Sequence, residues 1–354
     1  MLQPKLDIRE ITKNYGNSAA LLPTSLEVAT GEFLTLLGPS GSGKTTLLMM
    51  IAGLTPASGG RILLDGHDIT LQPAHRRDIG VVFQNYALFP HMNVFENVAF
   101  PLRLRRKSDA EIRAAVNRAL GLVRLDHLSQ RLPRELSGGQ QQRVAFARAI
   151  VFNPQLILMD EPLGALDKKL RDELKLEIRK LHGELKKTII YVTHDQEEAM
   201  LLSDRVVLMN QARIEQIAPP VELYERPATP FAAAFIGESN LLDCVVTPEG
   251  KLRLDDVTLD TSNTGLLPAS GEVTVLLRPE RIRPSADGAL RGTVTDLIDL
   301  GAMRRLTVEL EGGRSLTVTT LGGGMQLGLG ARVCLAVSPE DVVPLAPVAA
   351  GRGK

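Results

Sequence analysis

Apolar positions follow two different rhythms along this chain, and the change between them divides it. Up to about residue 235, short apolar runs alternate with stretches of helical period. Residues 32–38 (EFLTLLG) make a buried-strand run, followed at once by a Gly/Ser loop and the apolar, helix-like residues 46–52. Residues 80–83, 155–160 (QLILMD) and 188–193 (TIIYVT) are further apolar runs of strand length. Between the last two, Leu170, Leu174, Ile178, Leu181 and Leu185 recur every three or four residues, which is one face of an amphipathic helix. Strands alternating with helices predict an α/β fold, a mostly parallel sheet with helices on its faces.

After Gly237 the texture changes. Short alternating runs at 273–277, 306–310, 315–319 and 333–337 are separated by Gly, Pro, Asp and Ser, which predicts an all-β domain, barrel or sandwich. The connector, 218–230, holds Pro219, Pro220, Pro227 and Pro230 and reads as a stiff crossing. The expected division is therefore 5–237 and 238–345. The last residues, 346–354, have no apolar period and read as a flexible tail.

Composition narrows the classes. A length of 354 residues suits two domains, and 44% hydrophobic with 23% charged residues is ordinary for a globular chain. Lys plus Arg number 41 and so do Asp plus Glu, so the basic excess of a nucleic-acid gripper is missing. Cys244 and Cys334 are the only cysteines, too few for a disulfide scaffold or a Cys-based zinc site. No apolar run reaches the ~20 residues of a membrane span. The first ten residues lack the apolar core of a signal peptide, so the chain is expected to stay where it is made.

Gly38, Pro39, Ser40, Gly41, Ser42, Gly43, Lys44 and Thr45 fit G-x-x-x-x-G-K-[ST] between a predicted strand and a predicted helix, with Thr46 next in that helix. Glycines permit a tight loop whose N–H groups converge on phosphate oxygens at a helix N-terminus. Lys44 places a point charge on the β- and γ-phosphates, and the Thr45 hydroxyl is a hard oxygen ligand for Mg²⁺. The chain is expected to bind a nucleoside triphosphate. A second constellation, Leu136-Ser137-Gly138-Gly139-Gln140, opens a helix in which Val144, Ala147 and Val151 share a face. Ser137 is a natural N-cap, and the glycines expose N–H groups at the positive helix end, a second phosphate-binding surface.

On these two motifs the sequence resembles the ATP-binding subunits of ABC (ATP-binding cassette) transporters over about residues 5–237. The resemblance implies a P-loop cassette with a helical subdomain at about 88–155. It also implies a homodimer that sandwiches two ATP molecules, each loop facing the partner copy's LSGGQ helix, so that Ser137, Gly138, Gly139 and Gln140 act on the partner's ATP. Asp160 closes a strand and could hold Mg²⁺, and Glu161 after it is placed to polarise the attacking water. Gly164-Ala165-Leu166-Asp167 resembles the family's D-loop, whose Asp touches the opposite subunit. His194, one strand after Asp160, matches the family's switch histidine at the γ-phosphate, with Asp195 and Glu198 forming a capping-box-like helix start. Gln84 matches the Q-loop, an Mg²⁺ ligand that reports nucleotide state, and Tyr15 matches the aromatic that stacks on adenine.

Residues 83–100 hold Phe83, Tyr86, Phe89, Phe95 and Phe100 in a chain with nine Phe, four Tyr and no Trp. Part of this run is local core; the rest is expected to form an apolar patch beside Gln84. The resemblance implies that two transmembrane permease subunits dock near Tyr86, Leu88 and Phe89. Arg103, Arg105, Arg106 and Lys107 read as a solvated helix face. Residues 240–345 contain no Phe, Tyr, Trp or His, which argues against a nucleic-acid reader. With Leu277-Arg278-Pro279-Glu280 they resemble the OB-like accessory domain of maltose- and polyamine-type importer ATPases.

Runs 83–100, 163–171 and 235–240 look closest to the spermidine/putrescine type, while sugar, iron, phosphonate and thiamine importers share much of that text. The picture implied is an importer ATPase on the cytoplasmic side of the inner membrane, working with permeases and an extracytoplasmic solute-binding protein. The rival from another class is a soluble ABC ATPase acting on ribosomes or DNA. Neutral charge and a single cassette count against it.

Overall fold

The computed structural model describes residues 3–164, 166–322 and 327–345; the tail expected at 346–354 lies outside them. The chain separates into two units, Met1–Val221 and Glu222–Lys354. In the first, chain order runs β1 (Leu6–Tyr15), β2 (Ser18–Val28), β3 (Phe33–Leu37), α1 (Lys44–Ala52), β4 (Gly59–Leu64), β5 (His67–Asp68) and β6 (Ile79–Val82). Helices α2 (Val94–Leu104), α3 (Asp109–Leu122) and α4 (Gly138–Ile150) follow. The unit ends with β7 (Leu156–Asp160), α5 (Lys168–Leu185), β8 (Thr188–Thr193), α6 (Gln196–Leu202), β9 (Arg205–Asn210) and β10 (Arg213–Ala218).

The main sheet has six strands in the order β10-β9-β3-β8-β7-β6, parallel from β9 to β6, with β10 antiparallel at the edge. Every residue of β3, β7 and β8 is buried, as expected of strands covered on both faces. Alternation at one end of the chain has another origin. β1 and β2 belong to a separate four-stranded antiparallel sheet, β2-β1-β4-β5, which a reading of one mostly parallel sheet does not anticipate. Register shifts in both pairings of β1 blur its period-two pattern.

Helix α5 turns Leu174 and Ile178 inward, as its periodicity predicts, and leaves Leu176 outside; the one buried charge, Lys175, pairs with Asp172 and Glu197. Helices α2, α3 and α4 pack on one another between β6 and β7 in the chain. Their starts are fixed by Asn93, Ser108 and Ser137, whose side chains accept from the N–H three residues on. Of the basic run, Arg103 pairs with Glu96, Lys107 with Glu111, and Arg105 pairs with Asp78 while stacking on Phe152.

The second unit holds most of α7 (Pro220–Glu225), α8 (Pro230–Phe235) and strands β11 (Asn240–Val246), β12 (Leu252–Leu254), β13 (Val257–Leu259), β14 (Gly271–Leu277) and β15 (Arg283–Pro284). They are followed by β16 (Leu290–Asp299), β17 (Met303–Leu310), β18 (Ser315–Leu321), β19 (Arg332–Ala336) and β20 (Val343–Pro344). Two five-stranded antiparallel sheets, β13-β12-β11-β14-β20 and β15-β19-β16-β17-β18, enclose an aliphatic core that includes Leu252, Val275, Val308, Val318 and Leu335. From β11 onward the unit is the all-β, OB-like domain expected.

Its boundary falls between Val221 and Glu222, ahead of the expected 237, and the proline-rich connector is partly helical. Arg278 accounts for this. Its buried guanidinium donates to the carbonyls of Tyr224, Ala233 and Glu238 and to Ser239 Oγ, and it stacks on the Tyr224 ring. Those bonds tie the residues after 221 to the β-domain.

Candidate functional site

Strands β3, β8, β7 and β6 lie side by side, and their carboxyl ends carry the motif residues in turn. The Gly-rich loop follows β3, His194 follows β8, Asp160 ends β7 with Glu161 next, and Gln84 comes two residues after β6. The carboxyl edge of a parallel sheet is where open α/β folds place their ligands.

Loop 38–43 bends back onto α1, whose first residue is Lys44. A Cβ at Gly38 would overlap the carbonyl oxygen of Met209 on β9, so only glycine allows this packing. Lys44 is 5% exposed, and its Nζ donates to the carbonyls of Gly38 (2.8 Å) and Pro39 (2.9 Å). Burial pushes its pKa down, and the nearby Glu161 and Asp160 carboxylates partly offset this. The Ser42 hydroxyl is buried with no hydrogen-bond partner. An unpartnered hydroxyl in a Gly-rich loop at a helix start is a donor that fits a phosphate oxygen.

The Thr45 hydroxyl donates to Asp160 Oδ1 at 3.2 Å. Burial raises the Asp160 pKa; the Thr45 bond pulls it back and Glu161 adds to it. Glu161 holds a left-handed backbone (φ 42°), costly for a residue with a side chain. Its N–H is tied to Val192 O at 3.0 Å, and the turn aims the carboxylate along the sheet edge. There Oε2 lies 3.3 Å from Gln84 Nε2 and 3.3 Å from His194 Nδ1. Six residues scattered along the sequence thus form one cluster: Lys44, Thr45, Gln84, Asp160, Glu161 and His194.

Ser137 caps α4 and forms a reciprocal box with Gln140: Ser137 Oγ accepts from Gln140 N (3.3 Å), and Gln140 Oε1 accepts from Ser137 N (2.9 Å). A Cβ at Gly139 would lie 3.1 Å from Leu170, so the glycine lets the helix start sit close to α5. Asp167 caps α5, its Oδ1 accepting from Leu170 N at 3.0 Å. Gly164 N donates to Glu161 O (3.2 Å), and a Cβ there would meet nothing closer than 3.5 Å. Ala165, in the same run, lies outside the described residues.

Tyr15 stands 56% exposed at the end of β1, with Lys13 Nζ 4.8 Å from its ring. Two readings change. Tyr86 is 7% exposed and belongs to the core, so the exposed apolar patch beside Gln84 does not include it; Leu88 and Phe89 are half-buried. The left-handed backbone at Tyr86 and Ala87 (φ 60° and 46°) turns the Tyr86 ring inward. Asp195 does cap α6, accepting from Glu197 N and Glu198 N, but the Glu198 side chain does not return to complete a box. It turns inward instead and accepts from Tyr191 Oη (2.8 Å) and Thr193 Oγ1 (2.6 Å).

Two side chains that carry no motif brace this region. Arg148 of α4 donates to the carbonyls of Tyr86 and Ala87 (both 2.8 Å) and faces the Phe89 ring. Asn97, fully buried in α2, accepts from Phe89 N and donates to the carbonyls of Phe89, Met92 and Asn93. Their bonds hold the segment after Gln84 to two helices. The only trace in the sequence is a polar residue on an otherwise apolar helix face.

Residues 21–164 match the ABC transporter family model, and residues 275–345 match the TOBE domain. A spermidine/putrescine import ATP-binding protein of Legionella pneumophila is 45% identical over 90% of this chain and 91% of its own length. A sulfate/thiosulfate import ATP-binding protein of Bradyrhizobium diazoefficiens is 47% identical over 88% of this chain and 92% of its own. Among solved structures, cbiO1 from Clostridium perfringens, part of the ABC transporter complex cbiONQ, matches with a TM-score of 0.59 and 31% identity. That match covers 66% of this chain and 92% of the other.

Proposed function

Because this chain belongs to the ABC transporter family, as an ATP-binding cassette followed by a TOBE domain, we propose that it is the ATP-hydrolysing subunit of an importer. One observation carries the reading: phosphate loop, two carboxylates, Gln84 and His194 share one sheet edge, with the reacting groups within hydrogen-bond reach of one another. Loop amides and Lys44 take the triphosphate of ATP. Thr45 and Asp160, hard oxygen donors 3.2 Å apart, fit a hard cation such as Mg²⁺, with Gln84 bonded to the adjoining Glu161. When bound, Mg²⁺ would neutralise charge on the β- and γ-phosphates. Glu161 accepts the proton of the attacking water, and His194 and Gln84, both on its Oε2, fix the direction in which the carboxylate points.

Ser137 and Gln140 close the start of α4 on each other, with Gly138 and Gly139 between them, so the positive end of that helix is built as a phosphate-binding surface. This supports a head-to-tail homodimer in which Ser137, Gly139 and Asp167 meet the partner copy's ATP. Two permease subunits dock at the half-buried Leu88 and Phe89, beside Gln84. No helix among the described residues is long and apolar enough to cross a membrane. As in an importer whose permeases span the bilayer, the chain would sit as a peripheral subunit on the cytoplasmic face. An extracytoplasmic solute-binding protein would deliver the cargo.

For that cargo we favour a polyamine, on the relatives from Legionella, Frankia, Acidothermus and Clostridium named for spermidine and putrescine. Sulfate is the second reading, favoured by the 47% identity to the Bradyrhizobium protein. The deciding experiment reconstitutes the chain with the permeases that copurify with it and measures ATP-driven uptake of labelled putrescine and labelled sulfate. Uptake of sulfate alone overturns the polyamine reading. Copurification with nucleic acid and no membrane protein overturns the importer.

A further inference from the structure

One cavity in the first unit has no part in the chemistry above. It is a cleft of about 540 Å³ bounded by α3, α4 and α5 and the ends of β6 and β7, within the roughly 300–1,000 Å³ of small-molecule sites. Its floor is apolar, with Val82, Phe146, Met159, Leu174 and Ile178 all buried. One floor residue is polar. Gln142 is 5% exposed, and its Oε1 has no hydrogen-bond partner. A buried carbonyl without a donor is unfavourable unless something else supplies the hydrogen.

The mouth is basic. Four cations line it, Arg118, Arg124, Arg143 and Lys180, against two carboxylates, Glu177 and Glu184. Arg143 pairs with Glu177 at 2.8 Å and Lys180 with Glu184 at 3.8 Å. Arg118 and Arg124 are unpaired among the described residues and leave an excess of positive charge at the rim. The walls also touch the reaction site through the chain. Val82 lies two residues before Gln84, Met159 and Pro162 flank Asp160 and Glu161, and Gln142 sits on the helix that Ser137 caps.

We propose that this cleft is a regulatory site for an amphipathic organic anion. Its apolar body fills the cleft, an N–H or O–H donor meets Gln142 Oε1, and its anionic group faces Arg118 and Arg124. Occupancy ties α3 and α4 to α5 and to the ends of β6 and β7, and so changes how Gln84 and Glu161 meet a bound nucleotide. The binding half of this inference stands without the transport reading; the regulatory half rests on the ATPase.

Anilinonaphthalene sulfonate is a suitable probe, having apolar rings, one N–H donor and one anionic group. Titrated into the full chain and followed by its fluorescence, it should bind saturably with one equivalent per chain. Gly121 supplies a clean block: it lies in α3 on the cleft wall, and a Cβ there meets nothing within 4 Å. Gly121→Trp should fill the cleft, melt no lower than wild type and weaken binding by about tenfold or more. Arg118→Glu with Arg124→Glu should do the same, and Gln142→Leu should weaken binding about threefold. Probe binding should change phosphate release by about twofold or more in wild type and not in Gly121→Trp. Non-saturating fluorescence, or equal binding by all variants, would mean surface adsorption only and overturns the site. Saturable binding that leaves phosphate release unchanged overturns the regulatory role.

Discussion

Replacing Glu161 by Gln tests the proposed chemistry with the least change of shape. Two donors converge on Oε2, Gln84 Nε2 and His194 Nδ1, each at 3.3 Å. A glutamine oxygen can accept from both, and the backbone bond from residue 161 to Val192 O is untouched. The left-handed turn at φ 42° costs glutamine as much as glutamate. The variant should therefore fold as wild type does. What it loses is the base. General-base assistance contributes about 10²–10⁴ in rate, so phosphate release at saturating Mg-ATP should fall by that factor, about 2.7–5.5 kcal/mol in the barrier.

Nucleotide affinity should change little. The lost charge lowers the Lys44 pKa further, since Glu161 supports it, and it lets Asp160 ionise more readily. These effects act on ATP binding in opposite directions. Phosphate release and nucleotide titration on the same samples separate the two quantities. Size-exclusion chromatography with light scattering then reads the assembly, and the slow variant loaded with Mg-ATP should run as a dimer. A variant that turns over within about threefold of wild type removes Glu161 as base. A strict monomer at high concentration removes the shared-site dimer.

Glu198 gives a pH prediction whose sign is fixed by burial. Its carboxyl is pushed above the ordinary 4.5, chiefly by burial, so the folded chain binds its proton more tightly than the unfolded chain. The cost of ionising it is absent below about 4.5 and grows as pH rises through the elevated pKa. Glu198→Gln should thus melt above wild type at pH 7, with the gap closing toward pH 4.5; a gap constant across that range contradicts the argument. Burial pushes the Cys244 thiol up to about 11, whereas Cys334 is only half-buried. A maleimide at neutral pH should label Cys334 at least about tenfold faster, as peptide mapping would show. Leu88→Ala combined with Phe89→Leu spares the backbone bonds between residue 89 and Asn97. It should cut ATP-driven uptake by the reconstituted complex about tenfold or more while phosphate release without permeases stays within about threefold; equal loss of both would remove the docking assignment.

What could be read from the sequence, and what could not, follows from how side-chain direction is set. In a regular strand or helix the period decides which side chain faces the core. The strands under the site, β3, β7 and β8, and the inner face of α5 were accordingly legible, and the loop at Gly38–Thr45 could be placed between two such elements. Asp160, Glu161, Gln84 and His194 inherit their positions from the strand ends that precede them. Beyond a strand end, single dihedral angles take over. Nothing in the Phe-rich run distinguishes Tyr86 from Phe89, yet left-handed turns at Tyr86 and Ala87 send one ring into the core and leave the other at its edge. Bulges act similarly on β1, which pairs with β2 and β4 through shifted registers and so joins an antiparallel sheet that its period did not announce. Braces between elements are hidden for a further reason. Arg148 reaches the carbonyls of Tyr86 and Ala87 across about sixty residues of chain, and a carbonyl acceptor has no residue identity from which a partner could be inferred. The reacting groups were legible because each is a local extension of a regular element. The bonds that join the α4 helix to the segment after Gln84 depend on contacts that form only when separate elements meet.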